Sequence, residues 1–317
     1  MSATPPDKVR PVTTATISAL KQARRPIVMI TAYDFPSGRL ADEAGADMIL
    51  VGDSLGMTVL GFDSTLPVTL EQMLHHTAAV TRGAKRALVV ADMPFLTYQV
   101  TIEEAVRNAG RFIAEAGAAA VKVEGGVAIA PTVRRVVDSG IPVMGHVGLT
   151  PQSIHALGGY RVQGKEAGPA PRLLADCRAL EHAGAFAVVL ECIPAELAAI
   201  VSRSLEIPTI GIGAGSGCDG QVQVLNDLLG MGEFTPRHAK RYAQIGDEIR
   251  ATIARYADDV RGGTFPGEDQ TTHMDAEALA AVEAAIEGSA PPATEPAGAT
   301  GAATAATPDA PSDNEWW

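Results

Sequence analysis

Between residues 26 and 230 the chain repeats one unit eight times: a short apolar run, usually closed by a polar or acidic residue, then a loop, then a segment with helical spacing. The apolar runs lie at 26–31, 47–53, 87–92, 119–124, 142–146, 186–191, 209–213 and, with the weakest pattern, 221–226. Helix-period segments fall between them at 35–44, 70–82, 102–116, 127–139, 171–183 and 195–204. Strands alternating with helices imply right-handed crossovers and a parallel sheet. The runs are nearly continuously apolar, as strands buried on both faces must be. Eight of them within about 200 residues fit an α/β fold of the (β/α)8 TIM barrel type better than an open doubly wound sheet. A further helical stretch at 236–257 is expected to follow the eighth strand and close the ring.

The chain of 317 residues accommodates one such barrel with extras at both ends. Aromatic residues make up only 4%, so the core has to come from Val, Ile, Leu and Ala. The composition changes near His273, which suggests a barrel domain with an N-terminal extension over 1–273 and a tail over 274–317. In the tail, Leu279, Val282 and Ile286 have the spacing of one short amphipathic helix. From 288 to 314 the chain is mostly Ala, Pro, Thr, Gly and acid, a composition expected to be disordered.

Residues 274–317 contain eight acids and no Lys or Arg; removing these eight charges from the net −12 leaves an ordinary −4 for the rest. No basic nucleic-acid-binding surface is expected from this balance. The three cysteines (Cys177, Cys192 and Cys218) form no C-x-x-C pair and read as reduced thiols. No apolar run has the length of a signal-peptide core or of a membrane span, so the expectation is a soluble cytoplasmic protein with no membrane partner.

Several runs end in groups able to do chemistry: Asp53-Ser54, Asp92, Lys122 with Glu124, His146 and Glu191. In a (β/α)8 barrel such groups converge on the face at the carboxyl ends of the strands. Asp53, Asp92 and Glu124 come from three consecutive strands, and three adjacent carboxylates repel unless a cation neutralises them. Oxygen ligands of this kind suit Mg²⁺, whereas no His-x-His or H-E-x-x-H element supports zinc. Lys122 and Glu124, two apart, leave the same face of their strand. Lys122 reads either as a structural ion-pair partner or as a cation that holds an anionic substrate. Glu191, with Val189, Leu190 and Ile193 around it, reads as a general base set apart from the carboxylate trio, or as an ordinary strand-terminal acid. The glycine-rich stretch 211–217 departs from the dinucleotide fingerprint and reads as a loop that lets a ligand approach the backbone. The long glycine-containing loop 148–164 suits a cover over the site.

Longer blocks carry a resemblance. ITAYDFPSGRLADEAGADMILVGDSLGMTVLGFDSTLPVTLEQMLHHTAAVTRGA, ADMPF, VKVEGG, GHVGLTPQS, GGYRVQGK, LECIP and GIGAGSGCDGQ closely resemble the ketopantoate hydroxymethyltransferase family, from about Val12 to His273. The resemblance implies a barrel like that of phosphoenolpyruvate mutase and isocitrate lyase, assembled as a homo-oligomer, often a homodecamer. It implies transfer of the one-carbon unit of 5,10-methylenetetrahydrofolate to 3-methyl-2-oxobutanoate, giving 2-dehydropantoate for pantothenate synthesis through an enolate formed beside Mg²⁺. By matching motif, Asp53, Asp92 and Glu124 correspond to magnesium-site residues. Asp53, Ser54, Asp92 and Lys122 correspond to oxoacid-binding residues, and Glu191 to the proton acceptor. Two alternatives remain open. One is a folate-independent, Mg-dependent oxoacid lyase, although no Lys-Lys-Cys-Gly-His-like loop is present; the other is a barrel that binds an anion without chemistry. The acidic tail lies outside the resemblance.

Overall fold

A computed structural model describes residues 10–166 and 168–288; the segment from 289 onward, for which disorder is expected, lies outside the described residues. Eight parallel strands close into a barrel in sequential order, β1 (Ile27–Thr31), β2 (Met48–Val51), β3 (Leu88–Asp92), β4 (Ala120–Glu124), β5 (Val143–Gly148), β6 (Ala187–Glu191), β7 (Thr209–Ile212) and β8 (Gly220–Gln223). Closure is made by β1 pairing with β8, Met29 opposite Val222. Every strand overlaps the run that predicts it; β5 continues two residues past its run, to Gly148, and β8 starts one residue before its own. The least regular run yields the short β8, whose Gly220 has no room for a side chain because Ile27 O would lie 2.5 Å from its Cβ.

Period-two alternation sorts the strand residues into two cores. Ile27, Met29, Met48, Leu50, Leu88, Val90, Ala120, Met144, Ala187, Val189, Ile210 and Val222 fill the barrel. The alternate residues, among them Val89, Val121, Val123, Val143, Val188 and Leu190, pack outward under the helices. The interior holds three methionines beside the expected aliphatic residues; an unbranched thioether chain fits the irregular centre of a closed barrel. The helix Thr14–Gln22, not anticipated from the sequence, supplies Ile17 to the same interior cluster. Lys21 anchors that helix by donating to Ser202 O, Ile207 O and Asp219 Oδ2, each at 2.9 Å.

The crossover helices start where local chemistry starts them. Asp34 and Thr69 each form a capping box with the residue three positions on, Ser37 and Gln72. The helix expected over 236–257 begins only at Ile245 and runs to Gly262. Residues 232–244 are irregular instead. Arg241 ties them into a loop by donating to Gly232 O and Glu233 O at 2.8 Å, and Pro236 lacks the N–H an interior helix position needs. The chain divides into two compact units, Met1–Ile253 and Ala254–Trp317. The second contains the predicted tail helix, Ala276–Glu287, capped by Asp275. Among the described residues, no helix is long and apolar enough to cross a membrane.

Candidate active site

The inward files of four neighbouring strands change character as they climb. Leu88 and Val90 are followed by Asp92, Ala120 by Lys122 and Glu124, Met144 by His146, and Ala187 and Val189 by Glu191. The lower positions are the apolar fill of the barrel, and the upper ones place charge in its mouth. Asp53, two residues beyond β2, completes the group. Asp53, Asp92, Lys122, Glu124 and His146 are all buried, at 6% exposure or less. Burying this many charges is unfavourable unless they partner one another or a ligand.

Strand register sets the contacts. Asp92 stands level with Lys122, and Lys122 Nζ lies 2.8 Å from Asp92 Oδ1. Asp92 Oδ1 thus carries the buried ion pair with the ammonium. Its other oxygen accepts from Asp53 N at 3.0 Å. Gly52 makes room here, since a Cβ at that position would lie 2.8 Å from Ser54 Oγ and 3.5 Å from Asp92 Oδ2. Ser54 Oγ is 3.0 Å from Tyr33 Oη. Glu124 stands level with His146, and its Oε1 lies 3.3 Å from His146 Nδ1. His146 Nε2 lies 3.2 Å from Glu191 Oε2.

Glu191 is therefore not set apart from the carboxylates, as the sequence reading has it. Strand β5 separates β4 from β6, and one imidazole spans that gap. The sequence reading also omits three residues that organise the site. Gln152, in the short helical turn Pro151–Ser153 after β5, donates through Nε2 to Asp53 Oδ2 and Met93 O, both at 2.9 Å. Its backbone N donates to Glu124 Oε2 at 3.0 Å, and its Oε1 accepts from Tyr98 Oη at 2.7 Å. Tyr98 Oη in turn accepts from Glu124 N at 2.9 Å. Tyr33 is the third. The only sequence signal for Gln152 is its place in the GHVGLTPQS block.

The electrostatics follow from crowding. Burial, and then the charges of Asp92 and Glu124, hold the Asp53 carboxyl well above its usual range. Asp92 is also raised, by burial, although Lys122 opposes the shift. For Lys122 the burial penalty is the largest influence, but Asp92, Glu124 and Asp53 outweigh it and hold the ammonium charged. Glu124 is lowered because contacts with His146, Lys122 and Gln152 N outweigh its burial. Burial and Lys122 push His146 down, yet Glu124 and Glu191 hold it up at about 9. Its Nδ1 cannot both accept from Lys122 Nζ, 3.1 Å away, and donate to Glu124. Without further positive charge, the two flanking carboxylates favour the imidazolium that donates to Glu124.

The charge balance tests whether a metal fits. With all four ionised, Asp53, Asp92, Glu124 and Glu191 would outnumber one ammonium and one imidazolium by two charges; the upward shifts of Asp53 and Asp92 are the response to that excess, and a divalent cation would relieve it. The all-oxygen carboxylate donor set of Asp53, Asp92 and Glu124 suits a hard cation. Among the described residues, no group of three or more His, Cys, Asp or Glu side chains is set to hold a metal by itself. Glu124 already engages His146 and Gln152 with its two oxygens, so the three carboxylates belong to one network without forming a ready-made ligand group. Magnesium keeps waters and substrate oxygens among its ligands and does not require a preformed all-protein cage.

Comparison with known proteins places these features in context. A family model described as ketopantoate hydroxymethyltransferase matches residues 11–268. The 3-methyl-2-oxobutanoate hydroxymethyltransferase of Syntrophus aciditrophicus is 57% identical over 265 residues, 83% of this chain and 97% of that protein. The proteins of the same name from Chloroflexus aurantiacus and Carboxydothermus hydrogenoformans are each 56% identical, covering 85% and 84% of this chain and 96% and 98% of their own length. Among solved structures, a phosphoenolpyruvate phosphomutase from Streptomyces platensis aligns with a TM-score of 0.54 at 17% identity, over 87% of this chain and 98% of that one. A 2,3-dimethylmalate lyase of the PEP mutase/isocitrate lyase superfamily aligns with a TM-score of 0.53 at 17% identity, over 86% and 96%. At that identity the likeness concerns the fold.

Proposed function

The chain belongs to the ketopantoate hydroxymethyltransferase family, and on that premise we propose that the barrel mouth assembles an oxoacid, a magnesium ion and a reduced folate for one-carbon transfer. The activity is that of a 3-methyl-2-oxobutanoate hydroxymethyltransferase, which makes 2-dehydropantoate for pantothenate synthesis. The donor is 5,10-methylenetetrahydrofolate. The observation that carries this reading is the inward file that turns from apolar to charged on β3 to β6 and gathers carboxylates around one lysine and one histidine.

Asp53, Asp92 and Glu124 would hold the magnesium. When bound, it supplies Lewis-acid charge beside the carboxylate and keto oxygens of the oxoacid. Ser54 Oγ and Lys122 Nζ bind the substrate carboxylate, while Asp53 and Asp92 would meet the oxoacid through the metal that they hold. Lys122 remains charged because its carboxylate neighbours outweigh its burial. Glu191 removes the proton from C3 and leaves an enolate. His146, 3.2 Å from Glu191, is a positioning residue that holds this carboxylate toward the substrate. One C–N bond of the folate methylene opens with protonation of its nitrogen, water adds to the resulting iminium carbon, and the second C–N bond breaks to release tetrahydrofolate and a formaldehyde-level carbon; the enolate carbon attacks that carbon, and the new alkoxide takes up the proton that Glu191 removed. Gln152 keeps Asp53 and Glu124 oriented throughout. The catalytic region is residues 1–273, with 274–317 as a separate tail, and the enzyme works in the cytoplasm as a homo-oligomer, a homodecamer by family resemblance.

The test is exchange of the C3 proton of 3-methyl-2-oxobutanoate in D₂O, followed by NMR with tetrahydrofolate present, with and without Mg²⁺. Exchange is expected to require Mg²⁺ and to fall by about 10²- to 10⁴-fold in Glu191→Gln, the range of a general base, while oxoacid binding persists. Exchange at the wild-type rate in that variant overturns the assignment of Glu191. Exchange that is indifferent to Mg²⁺ overturns the metal.

A further inference from the structure

The irregular segment between the helices Leu225–Leu229 and Ile245–Gly262 is unlike the rest of this acidic chain. Arg237, His238, Lys240 and Arg241 fall within five residues, and no acid occurs from 234 to 246. Three contacts fix where it lies. His238 Nδ1 is 3.8 Å from Cys192 Sγ, and Cys192 directly follows Glu191. His238 Cβ would stand 3.0 Å from a Cβ added to Gly213, just past β7. Lys240 N donates at 2.8 Å to the side chain of Gln223, the last residue of β8. The segment is thus a strap across the carboxyl ends of β6, β7 and β8, on the rim of the mouth beside Glu191.

Two of its basic residues have other duties. Arg241 is spent on folding the strap onto Gly232 O and Glu233 O. Asp227 faces His238 and Arg241 and offsets charge there. Arg237 and Lys240 are exposed and, among the described residues, neither makes an ion pair with a carboxylate. Lys240 Nζ lies 4.7 Å above the Tyr242 ring, which is 65% exposed, and Phe234 is 79% exposed. The strap that begins beside Glu191 therefore presents two exposed cations without a carboxylate partner among the described residues and two exposed aromatic side chains, Tyr242 carrying Lys240 over one face. Two cations are too few for nucleic acid, whose binders neutralise many phosphates. They match a small aromatic ligand with a few carboxylates.

We propose that this strap is the subsite for the tail of the one-carbon donor, with Phe234 and Tyr242 flanking its aminobenzoyl ring and Arg237 and Lys240 meeting its glutamate carboxylates. The proposal rests on the reading of the donor as a reduced folate. Further glutamates on the donor add carboxylates at the strap, where each exposed ion pair contributes modestly and is screened by salt.

The test uses the full chain with Mg²⁺ and compares KM for 5,10-methylenetetrahydrofolate carrying one glutamate with KM for the form carrying four. In the wild type, the four-glutamate donor is expected to have a KM roughly threefold to tenfold lower, and raising NaCl should shrink that ratio. In Arg237→Gln/Lys240→Gln the ratio should collapse toward one, with thermal unfolding confirming a folded protein. Lys240→Glu alone should push it further. A double variant that keeps the wild-type ratio overturns the subsite. A changed oligomeric mass with an unchanged ratio assigns the strap to contact between copies and overturns it as well. If the wild type turns over neither donor, the folate reading itself fails, an outcome distinct from the others.

Discussion

Lys122→Met is the perturbation that reads the energetics of the site most directly. Methionine keeps the length and apolar stem of lysine, so packing on β4 changes little and the lost quantity is the charge. Lys122 and Asp92 side chains are 5% and 3% exposed and 2.8 Å apart, a fully buried ion pair. Removing one member of such a pair leaves a buried, uncompensated carboxylate and costs about 3–5 kcal/mol. Part of that cost is avoidable, because Asp53 and Asp92 are already pushed toward protonation by burial. A carboxyl whose pKa is raised in the folded state binds its proton more tightly there than in the unfolded chain. Its stabilising contribution is present at acid pH and is lost as pH rises. The deficit of the variant should therefore be small near pH 5 and reach its full size near pH 8. For a unit of this size the full deficit corresponds to a fall in Tm of about 6–20 °C. Magnesium-free thermal or urea unfolding at both pH values measures it. A variant as stable as the wild type at pH 8 refutes the charge balance argued here, since Lys122 would then not be neutralising the carboxylates.

Three further outcomes follow from the structure. Gly148 has φ +97°, and a Cβ there would lie 2.2 Å from Glu191 O; Gly148→Ala should displace Glu191 and lower kcat by about 100-fold. Gly140→Ala, also at positive φ (+85°) but with open space around it, should lose stability and leave kcat alone; equal kcat losses would dismiss the clash. Burial, and next the charge of Asp176, push the Cys177 thiol up to about 12 from an ordinary value of 9.0. Stability from that neutral thiol is complete below pH 9 and is lost as pH rises toward 12, so Cys177→Ala should show a shallower alkaline decline in denaturation experiments than the wild type. Deleting residues 274–317 should leave turnover unchanged in a steady-state assay, and a large loss would place the tail in the catalytic machinery.

The barrel was legible from local pattern because the constraint that builds it is local. Strand alternation has a period of two, so a sequence such as Ala120-Val-Lys-Val-Glu124 already states which side chains turn inward and that the inward file becomes charged at its carboxyl end. The chemical types of Asp53, Asp92, Lys122, Glu124 and Glu191 were readable for the same reason. Only the tertiary structure decided how those groups meet. His146 joins Glu124 to Glu191 because β5 lies between their strands, and Gln152 reaches Asp53 from a position 99 residues away in the chain. The Ile17 plug and the basic strap over β6 to β8 are likewise invisible to periodicity. Loops and terminal helices carry no repeating pattern. Their positions are set by which surfaces the closed barrel leaves to be covered and by hydrogen-bond partners far away in the chain.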